Sequence, residues 1–353
     1  MSSIPKPPVR HPALPRNALG LTRRDYEGAM STLCAGCGHD SITAALVQVF
    51  FELDLPPHRA IKFSGIGCSS KTTAYFLRQS HGFNAVHGRM PAVATGAAAA
   101  NRELLAIGIS GDGDSLSIGL GHFCHAIRRN VNLLYVLENN GVYGLTKGQF
   151  SASADVGSKS KRGELNAQRP IDPVLLALTL GATFVARSFS GDKAQLVPIL
   201  KAGLRHEGFA FVDVISPCVT FNDHEGSTKS YRFTREHYRD VAPVDFVPIR
   251  TEISAPPDGD VGGTMDIAMH DGSVVRFRKV DEQYDPTDRE GAYTYLRKRQ
   301  DQGEVVTGLL YLEKGAPDMH GINGTVATPL SELPYHELCP GNLELQSLLE
   351  EFR

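Results

Sequence analysis

The chain has 353 residues, 41% of them hydrophobic, and a net charge of -3, which is ample apolar content for one large domain or two smaller ones. So small a net charge gives no reason to expect a nucleic-acid partner, and no apolar run approaches the ~20 residues of a membrane span. Six cysteines in a chain without an apolar export segment argue against a disulfide framework and for thiols or metal ligands.

The first residues, MSSIPKPPVRHPALPRNALG, lack an apolar h-region, so a cytoplasmic location is expected. Their prolines predict an extended arm over residues 1–30, either laid on a partner chain or left as a tail. Cys34 and Cys37 then form a CxxC motif opening a helix whose apolar face is Ile42, Leu46, Val49 and Phe50. Such a motif suits a redox pair, a zinc knuckle or half of an iron–sulfur site. A strand over residues 60–63 leads into the glycine turn Ser64, Gly65, Ile66, Gly67, Cys68, Ser69, Ser70 and Lys71. A cysteine in a glycine-rich turn after a strand belongs at the ligand-binding edge of a parallel sheet. Next come His87, Gly88 and Arg89, which taken alone are a loop histidine and a surface charge, and an alanine-rich helix that lets another element pack closely.

Residues 104–148 read as one βαβ unit. Leu104, Leu105, Ala106, Ile107 and Ile109 form a strand apolar on both faces, as in a buried parallel sheet. It ends at Gly111, Asp112, Gly113 and Asp114. Leu116, Leu120, Phe123 and Ile127 recur at helical spacing, with Arg128 and Arg129 where positive charge complements the helix dipole. After Asn130 a second strand, residues 131–137, reaches the turn Glu138, Asn139, Asn140 and Gly141. A right-handed crossover places Asp112 and Asn140 side by side at the carboxyl ends of neighbouring strands. A carboxylate and an amide oxygen are hard ligands suited to Mg²⁺, and the glycines let backbone approach a diphosphate. The plain alternative is a βα turn with solvent-facing acids. An EF-hand is excluded, because its sixth and twelfth positions would be Ser117 and Phe123.

Residues 147–163 are rich in Ser, Gly and Lys, a solvated loop or a lid. Helix, strand and helix over residues 174–180, 183–186 and 194–203 continue the alternation to a strand at 209–215, after which Cys218 stands in a loop. Cys34, Cys37, Cys68 and Cys218 all fall near element ends, whereas Cys124 follows Leu120 by one helical turn and reads as a small core residue. The doubly wound region is placed at residues 31–240. The extension, 241–353, has a hairpin signal at Asp271-Gly272, a capping box of Thr287 with Glu290, and a strand over 305–312.

GDG followed by a helix, a strand and an Asn-Asn turn resembles the metal–diphosphate motif of thiamine diphosphate enzymes. The wider string GDGDSLSIGLGHFCHAIRRNVNLLYVLENNGVYGLTKGQ is similar to the β subunit of the 2-oxoacid:ferredoxin oxidoreductases, strongly over residues 33–222 and more weakly beyond. The resemblance implies an α/β fold: a doubly wound, mostly parallel sheet of the thiamine diphosphate-binding type with a C-terminal α+β extension used for partner contact. It implies Asp112, Asn140 and the Val142 carbonyl as Mg²⁺ ligands. Gly111, Gly113, Asp114, Gly144 and Leu145 would lie at the cofactor, with Ile66, Gly67, Cys68 and Ser69 of the glycine turn and His87 of the HGR segment. CAGCGH, GIGCSS and SPCVTFN resemble the three segments that hold one [4Fe-4S] cluster, which carries Cys34, Cys37, Cys68 and Cys218 over as ligands, although zinc would satisfy the same thiolates. Lys71, beside the cluster turn, is a candidate partner for the substrate carboxylate or else a surface lysine.

The reaction so implied is CoA-dependent oxidative decarboxylation of a 2-oxoacid, with electrons passed through the cluster to ferredoxin. HGRMPAVATG and DPTDR are closer to 2-oxoglutarate-type than pyruvate-type members, pointing to 2-oxoglutarate and succinyl-CoA, in either direction. In the family the glutamate that activates the aminopyrimidine comes from an α subunit. That partner, expected as a fused α/γ chain in a heterodimer or dimer of heterodimers, would complete the site. The competing readings are a pyruvate or broad-specificity member, a cluster-free thiamine diphosphate decarboxylase or synthase, and a non-catalytic iron–sulfur or zinc protein.

Overall fold

The structure, a computed structural model, describes residues 4–6, 11–160, 162–221, 253–256, 259–268, 274–328, 330–339 and 341–353. In chain order it forms α1 (Gly38–Glu52), β1 (Ala60–Ser64), α2 (Ser69–Tyr75), β2 (His81–Asn84), α3 (Met90–Ala100), β3 (Leu105–Gly111), α4 (Leu120–Arg128) and β4 (Leu133–Asn139). A two-stranded hairpin, β5 (Val142–Tyr143) with β6 (Gln149–Phe150), precedes α5 (Pro173–Thr179), β7 (Phe184–Phe189), α6 (Lys193–Arg205) and β8 (Phe209–Ile215). The extension supplies β9 (Thr264–Ala268), β10 (Val274–Lys279), α7 (Arg289–Asp301), β11 (Glu304–Leu312), α8 (Met319–Asn323), α9 (Tyr335–Leu338) and α10 (Asn342–Glu351).

Among the described residues the main sheet has nine strands in the order β2-β1-β3-β4-β8-β7-β11-β10-β9. The six from β2 to β7 are parallel, β11 joins β7 antiparallel, and β9 pairs antiparallel with β10. The expected doubly wound α/β architecture is therefore present, and the extension lengthens the same sheet. Period-two alternation explains the two-sided core. In β4, Leu133, Tyr135 and Leu137 pack into a cluster with α3, α4, α5 and α7, while Leu134 and Val136 pack with α1 and α6 on the other face.

Two local readings need adjustment. The N-cap of α7 is Asp288, whose carboxylate accepts from the Gly291 N–H; Thr287 donates instead to Asp285, so the capping box is displaced by an acid one residue on. The helix after Asp112 begins as a π-helical turn, Gly113–Ile118, before α4. That wide turn brings Asp114 and Ser115 inward, a departure that recurs at functional sites. The Asp271-Gly272 signal and the boundary near residue 240 lie outside the described residues, although β9 and β10 do pair as the hairpin requires. Helix α2 and strand β2 carried too little periodicity to be read from sequence.

Candidate functional site

The parallel register sets Gly111 opposite Glu138, so the turns leaving β3 and β4 open at one sheet edge. They bound a cleft of about 470 Å³ lined by His39, Ile66, Gly67, Cys68, Ser69, His87, Gly111, Asp112, Gly113, Asp114, Glu138, Asn140, Val142, Tyr143, Gly144, Leu145 and Thr146. Every residue expected at the diphosphate, the metal or the thiamine ring lines it. Lys71 does not: it lies on α2 near enough to Cys68 to favour that residue's thiolate. Arg89 also stands outside the lining, paired with His122.

Glycine is required at two positions here. A Cβ on Gly113 would stand 2.5 Å from the Tyr143 ring, and one on Gly65 would meet Asp114 Oδ2 at 1.7 Å. Asp114 is 3% exposed and takes donors from the Gly88 N–H (2.7 Å), Ser110 Oγ (2.6 Å) and the Ile66 N–H (3.1 Å), with His87 Nδ1 at 2.5 Å. A carboxylate so engaged does more to fix the glycine turn and the His87 ring than to touch an anionic ligand. With Nδ1 held, His87 presents Nε2 for exchange with a bound molecule.

Asp112 is 1% exposed, and burial raises its pKa although Ser151, Ser153 and the Asn140 N–H oppose the shift. A buried carboxylate whose charge is costly, in a cleft that Asn140 and Val142 also line, with Asn140 Oδ1 accepting from the Val142 N–H at 3.1 Å, offers hard oxygen donors of the kind that suit a divalent cation. The thiols lie beside the same cleft. A Cβ at Gly144 would lie 3.1 Å from Cys68 Sγ and 3.9 Å from Cys218 Sγ; Cys68 and Cys218 each also sense the charge of Cys34, and Cys37 that of Cys218. Burial raises the pKa of Cys37, Cys68 and Cys218, while Cys34 is exposed and accepts from Thr220 at 2.7 Å. Among the described residues no group of three or more His, Cys, Asp or Glu is spaced to hold a metal ion. As a donor set the four sulfurs suit a thiolate-bound cluster rather than a single ion held by oxygen and nitrogen.

Sequence reasoning missed His39 and Glu138. The one usable signal was an acid at the end of an otherwise apolar strand. His39 Nδ1 lies 2.6 Å from Ser216 Oγ and 3.5 Å from Glu138 Oε2. Thr72 donates to that oxygen at 3.0 Å, while Glu138 Oε1, buried, has no hydrogen-bond partner. Burial pushes His39 down to about 4 and Glu138 well above the usual carboxylate range, so the pair sits neutral. The two act oppositely on stability. Between about 4 and 6.5 the unfolded state binds the His39 proton that the fold rejects, so stability falls on acidification through that window, by about 3 kcal/mol. Above 4.5 the fold keeps a Glu138 proton that the unfolded chain releases, so stability falls as pH rises. Urea unfolding of Glu138→Gln across pH 4–8 should therefore lose the alkaline decline and keep the acid one; the reverse pattern would contradict this assignment.

Residues 65–214 match the family model described as the C-terminal TPP-binding domain of thiamine pyrophosphate enzymes. The 2-oxoacid:ferredoxin oxidoreductase β subunit of Saccharolobus solfataricus is 43% identical over 211 residues, which is 60% of this chain and 68% of that protein. The 2-oxoglutarate oxidoreductase subunit KorB of Mycobacterium tuberculosis is 42% identical over 191 residues, 54% of this chain and 51% of that protein, so the chain spans about half of that relative's length. A solved 2-oxoglutarate:ferredoxin oxidoreductase from Magnetococcus marinus, with 2-oxoglutarate, coenzyme A and succinyl-CoA bound, superposes with a TM-score of 0.68 at 30% identity, covering 89% of this chain and 91% of that one. Among the described residues no helix is long and apolar enough to cross a membrane.

Proposed function

The chain belongs to the family of 2-oxoacid:ferredoxin oxidoreductase β subunits, and from that membership we propose that it carries the thiamine diphosphate site of a cytoplasmic, CoA-dependent enzyme acting on 2-oxoglutarate. The observation that supports this best is the buried Asp112 beside Asn140 and Val142 in one cleft with His87 and the glycine turn. KorB-type relatives and the ligands of the M. marinus structure favour 2-oxoglutarate; the broader name of the S. solfataricus relative keeps other 2-oxoacids as the second reading.

Thiamine diphosphate, when bound, supplies the carbon nucleophile and electron sink for decarboxylation, and an iron–sulfur cluster would supply a one-electron acceptor. Asp112, Asn140 and the Val142 carbonyl would hold Mg²⁺ at the diphosphate. Gly111 and Gly113 let the backbone come close, and Leu145 and Gly144 form an apolar wall. His87 Nε2 would hold or donate a proton at the bound cofactor. Cys34, Cys37, Cys68 and Cys218 would hold the cluster, with Lys71, beside Cys68, a candidate partner for the substrate carboxylate. An α subunit would supply the missing aminopyrimidine acid, and ferredoxin would take the electrons.

Anaerobic co-purification with the α subunit tests this. Iron and acid-labile sulfide at about four of each per β chain, and CoA-dependent ferredoxin reduction fastest with 2-oxoglutarate, are expected; the β chain alone should not turn over. Thiamine-dependent decarboxylation without iron would instead identify a cluster-free decarboxylase, and preference for pyruvate would move the substrate assignment.

A further inference from the structure

The Asp112 carboxylate is held from outside its own turn. Ser151 Oγ donates to Oδ2, and Ser153 Oγ lies 2.6 Å from the same oxygen. Ser153 has one hydroxyl proton and further acceptors in reach, Asn139 Oδ1 at 2.9 Å and Ser151 Oγ at 3.2 Å. The orientation of that amide is fixed: Asn139 Nδ2 donates to Asp213 Oδ1 at 3.0 Å, and Arg187 Nε donates to Asp213 Oδ2 at 2.7 Å. A continuous polar chain thus runs Arg187, Asp213, Asn139, Ser153, Asp112. The segment that follows Ser153 is closed on itself. Asn166 Nδ2 reaches the carbonyls of Ala154 (2.9 Å), Asp155 (3.1 Å) and Gln168 (3.1 Å), and the Ile171 N–H donates to Ala152 O at 2.7 Å. The polar stretch expected as a lid or solvated loop is a tied loop whose attachment to the site includes the two serines.

We propose that Ser153, assisted by Ser151, is a positioning residue for the metal-binding carboxylate, and that it couples the 151–171 loop to cofactor loading. The inference rests on reading Asp112 as a Mg²⁺ ligand. By donating to Oδ2, Ser153 and Ser151 would keep the carboxylate in the rotamer that meets the cation, in the loaded as in the free site, while Asn139, itself held by Asp213, fixes where the Ser153 Oγ stands. Residues that orient a ligand in this way commonly change metal affinity 10–100-fold when removed.

The test uses the complex with the α subunit. Thiamine diphosphate binding is measured by calorimetry across a Mg²⁺ titration for the wild type, Ser153→Ala and Ser153→Thr. Alanine should raise the Mg²⁺ needed for half-maximal binding by at least tenfold, and threonine, which keeps the hydroxyl, should restore it to near the wild-type value. Tryptic cleavage after Lys159 or Arg162 should be suppressed by Mg²⁺ and thiamine diphosphate in the wild type and not in Ser153→Ala. If Ser153→Ala does not fold, Ser153→Cys, a weaker donor of similar size, reads the same shift. An unchanged Mg²⁺ dependence with only a lowered melting point would overturn the inference and leave the functional reading standing. Wild-type protein that binds no thiamine diphosphate at any Mg²⁺ concentration would overturn both.

Discussion

Asp112→Ala should abolish Mg²⁺-dependent binding of thiamine diphosphate, with affinity falling by roughly 100-fold or more, beyond the range found for residues that merely orient a metal ligand. Asp112 is the one carboxylate among Asp112, Asn140 and Val142, and the other acids lining the cleft are engaged elsewhere, Asp114 by Gly88, Ser110, Ile66 and His87 and Glu138 by Thr72. The fold should survive. Burial already makes the charge of Asp112 unfavourable, so alanine removes a costly group, at the expense of the acceptor shared by Ser151 and Ser153. Those hydroxyls keep alternatives in each other, 3.2 Å apart, and in Asn139. The expected signature is therefore a near-normal melting point without Mg²⁺, no thermal stabilisation on adding Mg²⁺ and thiamine diphosphate, and no CoA-dependent ferredoxin reduction in the assembled enzyme. Full cofactor-induced stabilisation of the alanine variant would remove Asp112 from the metal site.

The parts of this site that were legible in the sequence are those written in contiguous strings. Strand β3 and strand β4 announce themselves as apolar runs because both faces are buried, and Asp112 and Asn140 follow directly from where those runs end. The Asn130 stop is present too, in the left-handed region at φ 47°, its side chain bonded to the Phe209 N–H and Thr183. What was illegible is what tertiary packing alone creates. Nothing local tells that Ser151 and Ser153 reach Asp112, some 40 residues earlier. Nothing local tells that Asp114, two residues from Asp112 in an acidic turn, faces His87 and the glycine turn. The extension was readable as strands and a helix, but not as a continuation of the main sheet, because the pairing of β11 with β7 joins segments over 100 residues apart.

Arg187→Leu should destabilise the fold by about 3–5 kcal/mol, as expected when one partner of a buried ion pair is removed. Arg187 on β7 stands in register with Asp213 on β8. Its Nε donates to Asp213 at 2.7 Å and its terminal nitrogen to Asp172 at 2.8 Å, with side-chain exposures of 10%, 0% and 16% respectively. Burial opposes the guanidinium charge, yet the two acids hold it more firmly protonated than an ordinary arginine. Among the described residues, removing it leaves Asp213 buried with the Asn139 amide as its side-chain donor. Asp172 is better placed, because it also caps α5 through the Val174 and Leu175 N–H groups. The defect carries a pH sign. An uncompensated buried Asp213 has a folded pKa above its unfolded value, so the native state keeps a proton that the unfolded chain releases, and the deficit grows as pH rises from about 4 towards neutrality. Adding Asp213→Asn should recover much of the loss, since no charge then remains to be buried. Urea titrations of the single and double variants at pH 4.5 and 7.5 decide it: a pH-independent deficit, or a double variant no more stable than the single one, would show that Arg187 acts through packing. Because Asp213 also anchors Asn139, the single variant should additionally raise the Mg²⁺ requirement for thiamine diphosphate, which ties the stability of the sheet centre to the geometry of its carboxyl edge.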